Sequence, residues 1–304
     1  MHKKIVMASI VLSFLWFTTM ALAAPPLPLK VFVSVPPQKW VSDNIGGALV
    51  TTEVLVDKGQ DPHTYEPTPK QLTTLSQAKL YFTLDLEFEK QIIPKLGQTV
   101  PTLSIVDTAN SIPKIAMSEH EHNEPKSSNE AHSNKEHQHQ EGLDPHVWLS
   151  PLNLKIMAAD MARAMIASDP ANKVTYEKNL LETTRILDQV HQKIEQKLAP
   201  YQGASFYVFH PAFGYFAHTY HLQQQAIETG GKSPTPRQLS SLITQAKASK
   251  ARVIFVQPQF DPRSAQAIAN AIHGEVVPLD PLAEDVAANL ETMASKIQAA
   301  FIAR

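Results

Sequence analysis

The sequence predicts an α/β protein of two lobes, each a mainly parallel sheet flanked by helices, joined by one long helix. Strand-like and helical segments alternate on both sides of the chain centre, and this alternation favours parallel sheets. An internal repeat supports two similar lobes, because Pro67-Thr68-Pro69-Lys70-Gln71-Leu72 returns as Pro234-Thr235-Pro236-Arg237-Gln238-Leu239. We therefore expect an N-terminal lobe over residues 24–167, a linking helix over 168–200 and a C-terminal lobe over 201–304.

The first lobe contains four short segments rich in apolar and β-branched residues, which predict strands. One of its helices has a clear start, with Thr68 as N-cap, Pro69 at the first helical position and Gln71 completing a capping box. The predicted strands of this lobe cover residues 29–35, 51–56, 80–84 and 100–106.

Two helices follow in the middle of the chain. Residues 151–167 carry methionines at helical spacing, which favours core packing over a set of metal ligands. The linking helix places apolar residues on one face and ends before Pro200 and Gly203.

The C-terminal part repeats the alternation. Its predicted strands cover residues 205–209, 224–228, 252–256 and 275–279. Its predicted helices cover residues 213–220, 236–250, 263–272 and 284–302.

Composition restricts the classes of function. The net charge of −2 gives no electrostatic reason to expect nucleic acid or an anionic membrane as a partner. The chain has no Cys, which excludes disulfides, thiolate metal sites and Cys nucleophiles. A transition-metal site would have to use His and carboxylates.

The N-terminus is typical of an export signal. Lys3 and Lys4 precede a mostly apolar stretch, and Ala21-Leu22-Ala23 fits a cleavage site. We expect residues 1–23 to be a signal peptide cleaved near Ala23, and the mature protein to be periplasmic. A membrane anchor is the alternative, and the proline-rich segment that follows disfavours it.

A polar segment over residues 119–141 has few large apolar side chains and cannot offset the entropy of ordering by burial. We expect a mobile His-rich loop that captures metal loosely; the alternative is a solvated linker. Its candidate auxiliary ligands are His120, His122, His132, His137 and His139.

Four residues are candidates for one metal site because each lies at the end of a predicted element. His63 and His146 belong to the first lobe, and His210 and Asp280 to the second. Ligands of parallel sheets bind beyond the carboxyl ends of the strands, so these side chains should meet in the cleft between the lobes. Three imidazoles and a carboxylate would complete a tetrahedral zinc site. Glu66, close to His63 in sequence, is a candidate to hydrogen-bond a ligand of this site without binding the metal itself.

Three motifs resemble those of the substrate-binding proteins of zinc and manganese ABC importers, the cluster A-I metal-binding family. They are residues 61–67 (Asp-Pro-His-Thr-Tyr-Glu-Pro), 143–151 (Leu-Asp-Pro-His-Val-Trp-Leu-Ser-Pro) and 209–216 (Phe-His-Pro-Ala-Phe-Gly-Tyr-Phe). The resemblance covers nearly the whole mature chain. It implies two lobes around four-stranded sheets, a rigid linking helix, and one metal in the cleft.

The resemblance also implies the ligands. It places the metal on His63, His146 and His210, with Asp280 as the fourth ligand. Manganese members typically have Glu where this chain has His210, and the His-rich segment is similar to that of the zinc members. The late Cys pair of some zinc members is absent here.

We therefore expect a monomer that captures zinc in the periplasm and delivers it to a membrane ABC permease, without catalysis. The first alternative is a manganese- or iron-binding protein of the same importer class. A secreted zinc hydrolase is less favoured, because there is no His-Glu-x-x-His and four protein ligands leave no open position. A metal buffer or a surface adhesin is a further alternative.

Overall fold

The structure, a computed structural model, describes residues 27–117, 142–228 and 235–303. The predicted signal peptide and the five histidines of the segment 119–141 lie outside these residues. No helix in the described part of the chain is both long enough and apolar enough to cross a membrane.

The N-terminal lobe is a four-stranded sheet in the order β2-β1-β3-β4, and its neighbouring strands all pair in parallel. The sheet is buried at its centre, where β3 has four buried residues in succession. This pattern is typical of a parallel strand covered on both faces. The strands are β1 (Leu29–Val33), β2 (Val50–Val54), β3 (Leu80–Thr83) and β4 (Ser104–Asp107).

The C-terminal lobe repeats this plan. Its strands follow the order β6-β5-β7-β8, again with parallel pairing, so the second, first, third and fourth strands of each lobe lie side by side in that order. The predicted repeat of two α/β lobes is confirmed. The strands are β5 (Ser205–Val208), β6 (Gln223–Ala226), β7 (Val253–Val256) and β8 (Glu275–Pro278).

The helices cover the sheets and connect the lobes. The two repeated motifs both form capping boxes, in which Thr68 accepts from the Gln71 N–H and Thr235 from the Gln238 N–H. The helices are α1 (Pro36–Gly46), α2 (Pro69–Leu75), α3 (Glu87–Thr99), α4 (Pro151–Ser168), α5 (Lys173–Leu198), α6 (Gly214–Thr219), α7 (Pro236–Ala248), α8 (Arg263–Ala271) and α9 (Val286–Ile302).

The long helix between the lobes is confirmed as α5, and its start differs from the prediction. A short 3-10 turn over Pro170–Asn172 separates it from α4, so the helix begins at Lys173. Most other bounds also differ, by up to four residues. The fourth strand begins at Ser104 because α3 ends at Thr99 and a turn, closed by the bond from the Leu103 N–H to the Val100 carbonyl, follows it. The last helix begins at Val286 because Asp285 caps it. The domain boundaries stay predictions.

One hydrophobic core runs through the N-terminal lobe, α4, α5, α9 and the inner face of the second sheet. The helix α5 contributes Leu187, Val190, Ile194 and Leu198 to it, as the spacing predicts. The methionines of α4 are fully buried in the same core. A second, smaller cluster packs the opposite face of the C-terminal sheet against α7 and α8. The linking helix is thus embedded in core shared by both lobes.

Candidate metal centre

Three of the four predicted ligands meet in the cleft. The Nε2 atom of His63 lies 3.2 Å from that of His146 and 3.1 Å from that of His210. The Nε2 atoms of His146 and His210 are 3.3 Å apart. His146 and His210 are buried, whereas His63 is exposed. Among the described residues, these histidines form the one group of three or more His, Asp or Glu whose ligand atoms all lie within 4.8 Å of one another.

The two N-terminal ligands are oriented by the same local turn. In each Asp-Pro-His motif the aspartate accepts the N–H of the histidine two residues later, at 3.0 Å from His63 N to Asp61 Oδ1 and 2.9 Å from His146 N to Asp144 Oδ1. Such Asx turns fix the backbone locally. Gly214, at the start of α6, leaves room for this turn, because a Cβ there would lie 2.3 Å from Asp144 Oδ2.

Buried carboxylates contact the outer ring nitrogens of two histidines. Nδ1 of His146 is 2.8 Å from Asp144 Oδ1, and Nδ1 of His210 is 2.7 Å from Glu228 Oε1. A carboxylate can only accept, so each Nδ1 carries the proton and each Nε2 has its lone pair free for a cation. This arrangement also raises the basicity of the ligand.

The backbone of His210 is held by a side chain from the neighbouring strand. The fully buried Gln257 follows β7, and its amide accepts from the His210 N–H at 3.2 Å and donates to the His210 carbonyl at 2.6 Å. Phe260 stacks on the imidazole of His210, with ring centroids 5.0 Å apart and planes 26° apart. His210 is thus fixed through its backbone, its ring face and its Nδ1.

Burial and mutual repulsion favour the neutral form of two of the imidazoles, those of His63 and His146. Partial burial of its ring, followed by the neighbouring His146 and His210, lowers the pKa of His63 to about 4. Full burial, then His210, lowers the pKa of His146 well below its usual value. Burial raises the pKa of the Asp144 carboxyl to about 7, against the hydrogen bond from the His146 N–H and the nearby imidazoles. Neutral rings at His63 and His146 leave their Nε2 lone pairs available to a metal cation.

The geometry fits one zinc ion. Three nitrogens at about 2.0–2.1 Å from zinc in a tetrahedron lie roughly 3.3–3.4 Å apart, close to the observed 3.1–3.3 Å. The rings border a cavity with a free volume of about 10 Å³, which is roughly the space of one water. Trp148, Phe260 and Leu282 contribute apolar walls. The cavity has room for a single ion beside the three rings.

The fourth predicted ligand is not brought into this group. The Oδ1 atom of Asp280 accepts hydrogen bonds from Gln259 Nε2 at 3.1 Å and from the Leu282 N–H at 2.9 Å. Its role as a ligand stays a prediction. Glu66 is exposed, and its predicted supporting role is likewise untested. His218 and His221, three residues apart in sequence, are exposed and form no comparable group among the described residues.

Sequence reasoning missed three residues that hold the ligands. Asp144 was available in its motif, because the Asx turn is a local signal. Glu228 and Gln257 had no such signal, because each reaches His210 from a neighbouring strand of the sheet. Their importance appears only once β5, β6 and β7 are aligned.

Comparison with known proteins identifies the family of the chain. The family model described as ZnuA, zinc-uptake complex component A periplasmic, matches residues 31–300. The chain is 28% identical to the high-affinity zinc uptake system protein ZnuA of Yersinia pestis, over 84% of each chain. It is 30% identical to the metal ABC transporter substrate-binding lipoprotein FimA of Streptococcus parasanguinis, over 75% of this chain and 72% of FimA.

Solved structures show the same fold. A crystal structure of ZnuA aligns with a TM-score of 0.80 and 36% identity, covering 90% of this chain and 99% of that one. A zinc-bound ZnuA mutant lacking residues 138–173 in its own numbering aligns with a TM-score of 0.79 and 36% identity, covering 90% of this chain and 98% of that one. The match of the family model over most of the chain, on a fold of two parallel sheets around three converging histidines, shows that this chain belongs to the ZnuA family of substrate-binding proteins for zinc uptake.

Proposed function

We propose that this protein captures zinc in the periplasm with high affinity, on His63, His146 and His210, and delivers it to a membrane ABC permease. The observation that carries the proposal is the convergence of three Nε2 atoms from both lobes within 3.3 Å of one another. Neutral imidazole is a good ligand for zinc, and the buried carboxylates behind two of the rings increase its donor strength.

Zinc is favoured over manganese by the atoms that form the centre. Manganese prefers carboxylate, carbonyl and water oxygens, whereas imidazole suits zinc. In this chain the converging atoms are nitrogens, and the nearest carboxylates bind the Nδ1 atoms. The relatives named as zinc-uptake or zinc-bound ZnuA proteins support the same choice.

The proposal includes that the protein acts as a monomer and binds zinc without catalysing a reaction. The cavity has room for roughly one water beside the rings, which suits the binding of an ion better than that of an organic substrate. Since both lobes contribute ligands, a small separation of the lobes would release the ion. We propose that contact with the permease causes that separation, and that the export signal places the protein in the periplasm.

Competitive titration of the mature chain (residues 24–304) with zinc and manganese tests the proposal. We expect one tight zinc per chain, and manganese that competes poorly. His210→Ala should weaken zinc binding by at least about 100-fold, because even changes behind a ligand cost about 10–100-fold. The exposed His218 gives the matched control, and His218→Ala should bind zinc as the parent does. Equal affinity for both metals, or an unchanged His210→Ala variant, would overturn the proposal.

A further inference from the structure

The segment Gln257–Phe260, which follows β7, contacts both candidate ligands of the C-terminal lobe. Gln257 holds the backbone of His210, and Phe260 stacks on its ring. Between them, Gln259 donates to Asp280 at 3.1 Å. The segment thus contacts His210, which belongs to the three-histidine centre, and Asp280, which lies outside it.

Asp280 is held on the side of its own lobe. Its Oδ1 accepts from the Leu282 N–H as well as from Gln259, and its backbone carbonyl accepts from Asn289 Nδ2 at 2.7 Å. Asp280 lies outside the group of ligand atoms that are within 4.8 Å of one another, so its carboxylate has to shift to bind a metal together with the histidines. A shift that carries Oδ1 toward the ion breaks the bond from Gln259. The bond from Gln259 therefore competes with metal ligation through Oδ1 of Asp280.

The Oε1 atom of Gln259 supports the orientation in which its amide donates to Asp280. Only the NH₂ group of an amide can donate to a carboxylate, so the Oε1 atom must be the one that points away from Asp280. Oε1 is buried and has no hydrogen-bond partner in the described part of the chain, and Gln259 borders the cavity beside the histidines. A buried acceptor without a partner is costly, so the bond to Asp280 is what keeps Gln259 in this orientation.

We propose that Gln259 determines whether Asp280 acts as the fourth metal ligand, by holding its carboxylate away from the three histidines. The inference rests on the proposed zinc-binding function and adds a determinant of selectivity. A fourth carboxylate ligand favours manganese more than a centre of imidazoles does. Gln259 therefore preserves the preference of this site for zinc.

A double-mutant cycle on the full mature chain tests the inference. The variants are Gln259→Leu, Asp280→Asn and the pair, each titrated with zinc and manganese. We expect Gln259→Leu to raise manganese affinity roughly tenfold, the size of a lost hydrogen bond to a charged group. In the Asp280→Asn background the same substitution should have little effect. Gln266→Leu is the matched control, because Gln266 is an exposed glutamine of the same lobe that donates to Asn270.

Co²⁺ absorption gives a second readout that reports coordination directly. Gln259→Leu should change the visible bands of bound Co²⁺, and Asp280→Asn should abolish that change. Thermal unfolding of the metal-free variants separates misfolding from an altered site. No change in either readout, or the same change with and without Asp280, would overturn the inference while tight zinc binding by the parent would leave the proposed function intact. Absence of tight zinc binding in the parent would remove both.

Discussion

At the residue scale, the centre depends on the buried acceptors behind its rings. Glu228 lies two residues beyond the end of β6, and its Oε1 atom is 2.7 Å from Nδ1 of His210. Replacing it by Gln keeps the shape and removes the charge. Because such partners set the tautomer and basicity of a ligand, we expect Glu228→Gln to weaken zinc binding about 10–100-fold.

Isothermal competition with a chelator measures this change. Glu275 on β8 is exposed and provides the control, since Glu275→Gln alters charge in the same lobe without touching the site. Equal zinc affinity in Glu228→Gln and Glu275→Gln would contradict the role assigned to Glu228.

The lowered pKa of His63 predicts a pH dependence of stability. The imidazole has a pKa of about 4 in the folded protein and about 6.5 in the unfolded chain. Between these values the unfolded chain binds a proton that the folded chain does not. The free energy of unfolding of the metal-free protein should therefore contain a contribution that decreases as the pH falls from about 6.5 to about 4.

Urea unfolding of the metal-free parent and of His63→Gln at several pH values isolates this contribution. The variant should lose less stability over the same interval. Asp144, whose raised pKa acts in the opposite direction, is present in both proteins and largely cancels in the comparison. Identical slopes would show that His63 titrates normally in the folded state.

The residues that could be predicted are those with a local signal. His63 and His146 follow the same Asp-Pro-His turn, and His210 directly follows an apolar strand, so sequence pattern and the rule for parallel sheets bring them together. The partners of His210 are set by strand order, which the sequence alone leaves open. The hydrogen bonds of Asp280 are equally invisible in the sequence.

At the element scale, the residues that flank the His-rich segment 119–141 pair with each other. Ala116 and Leu143 form an antiparallel bridge, and Met117 N–H donates to the Gly142 carbonyl at 2.9 Å. The chain on either side of residues 119–141 is therefore already paired, and a short turn can close it. We therefore expect the three-histidine centre to form without this segment.

We expect deletion of residues 119–141, with a short Gly-Ser turn in their place, to keep one tight zinc with affinity within a few-fold of the parent. Any additional weak zinc equivalents should disappear. Direct titration monitored by calorimetry counts both classes of site. Loss of the tight site on deletion would favour the metal-buffer interpretation over transport.

The strands and helices themselves were largely predictable. The capping boxes of α2 and α7 have local signals and form as expected. The errors occurred at ends set by other contacts, such as β4, whose start depends on where α3 stops. The turn that separates α4 from α5 contains Pro170, which interrupts a run of residues that otherwise favour helix.

At the scale of the whole molecule, the lobes are connected close to the site as well as through α5. Trp148, two residues after His146, donates its indole N–H to the Pro281 carbonyl of the other lobe at 2.8 Å. Both residues border the cavity. Opening of the cleft has to break this bond, so it should slow the release of a bound ion.

Trp148→Phe keeps an aromatic ring and removes the donor. We expect zinc to dissociate about 2–10-fold faster, the effect of one hydrogen bond with a net worth of about 0.5–1.5 kcal/mol. Stopped-flow transfer of zinc to a chromogenic chelator measures the rate. Trp40→Phe is the control, because Trp40 lies on α1 away from the cavity. Equal dissociation rates in the two variants would show that the Trp148 bond does not hold the lobes together.

The position of the ion is the central claim, and crystallography with anomalous scattering at the zinc edge tests it most directly. One strong peak per chain within about 2.0–2.1 Å of the Nε2 atoms of His63, His146 and His210 would confirm it. A peak elsewhere, or ligation through Nδ1 with Asp144 and Glu228 displaced, would contradict it.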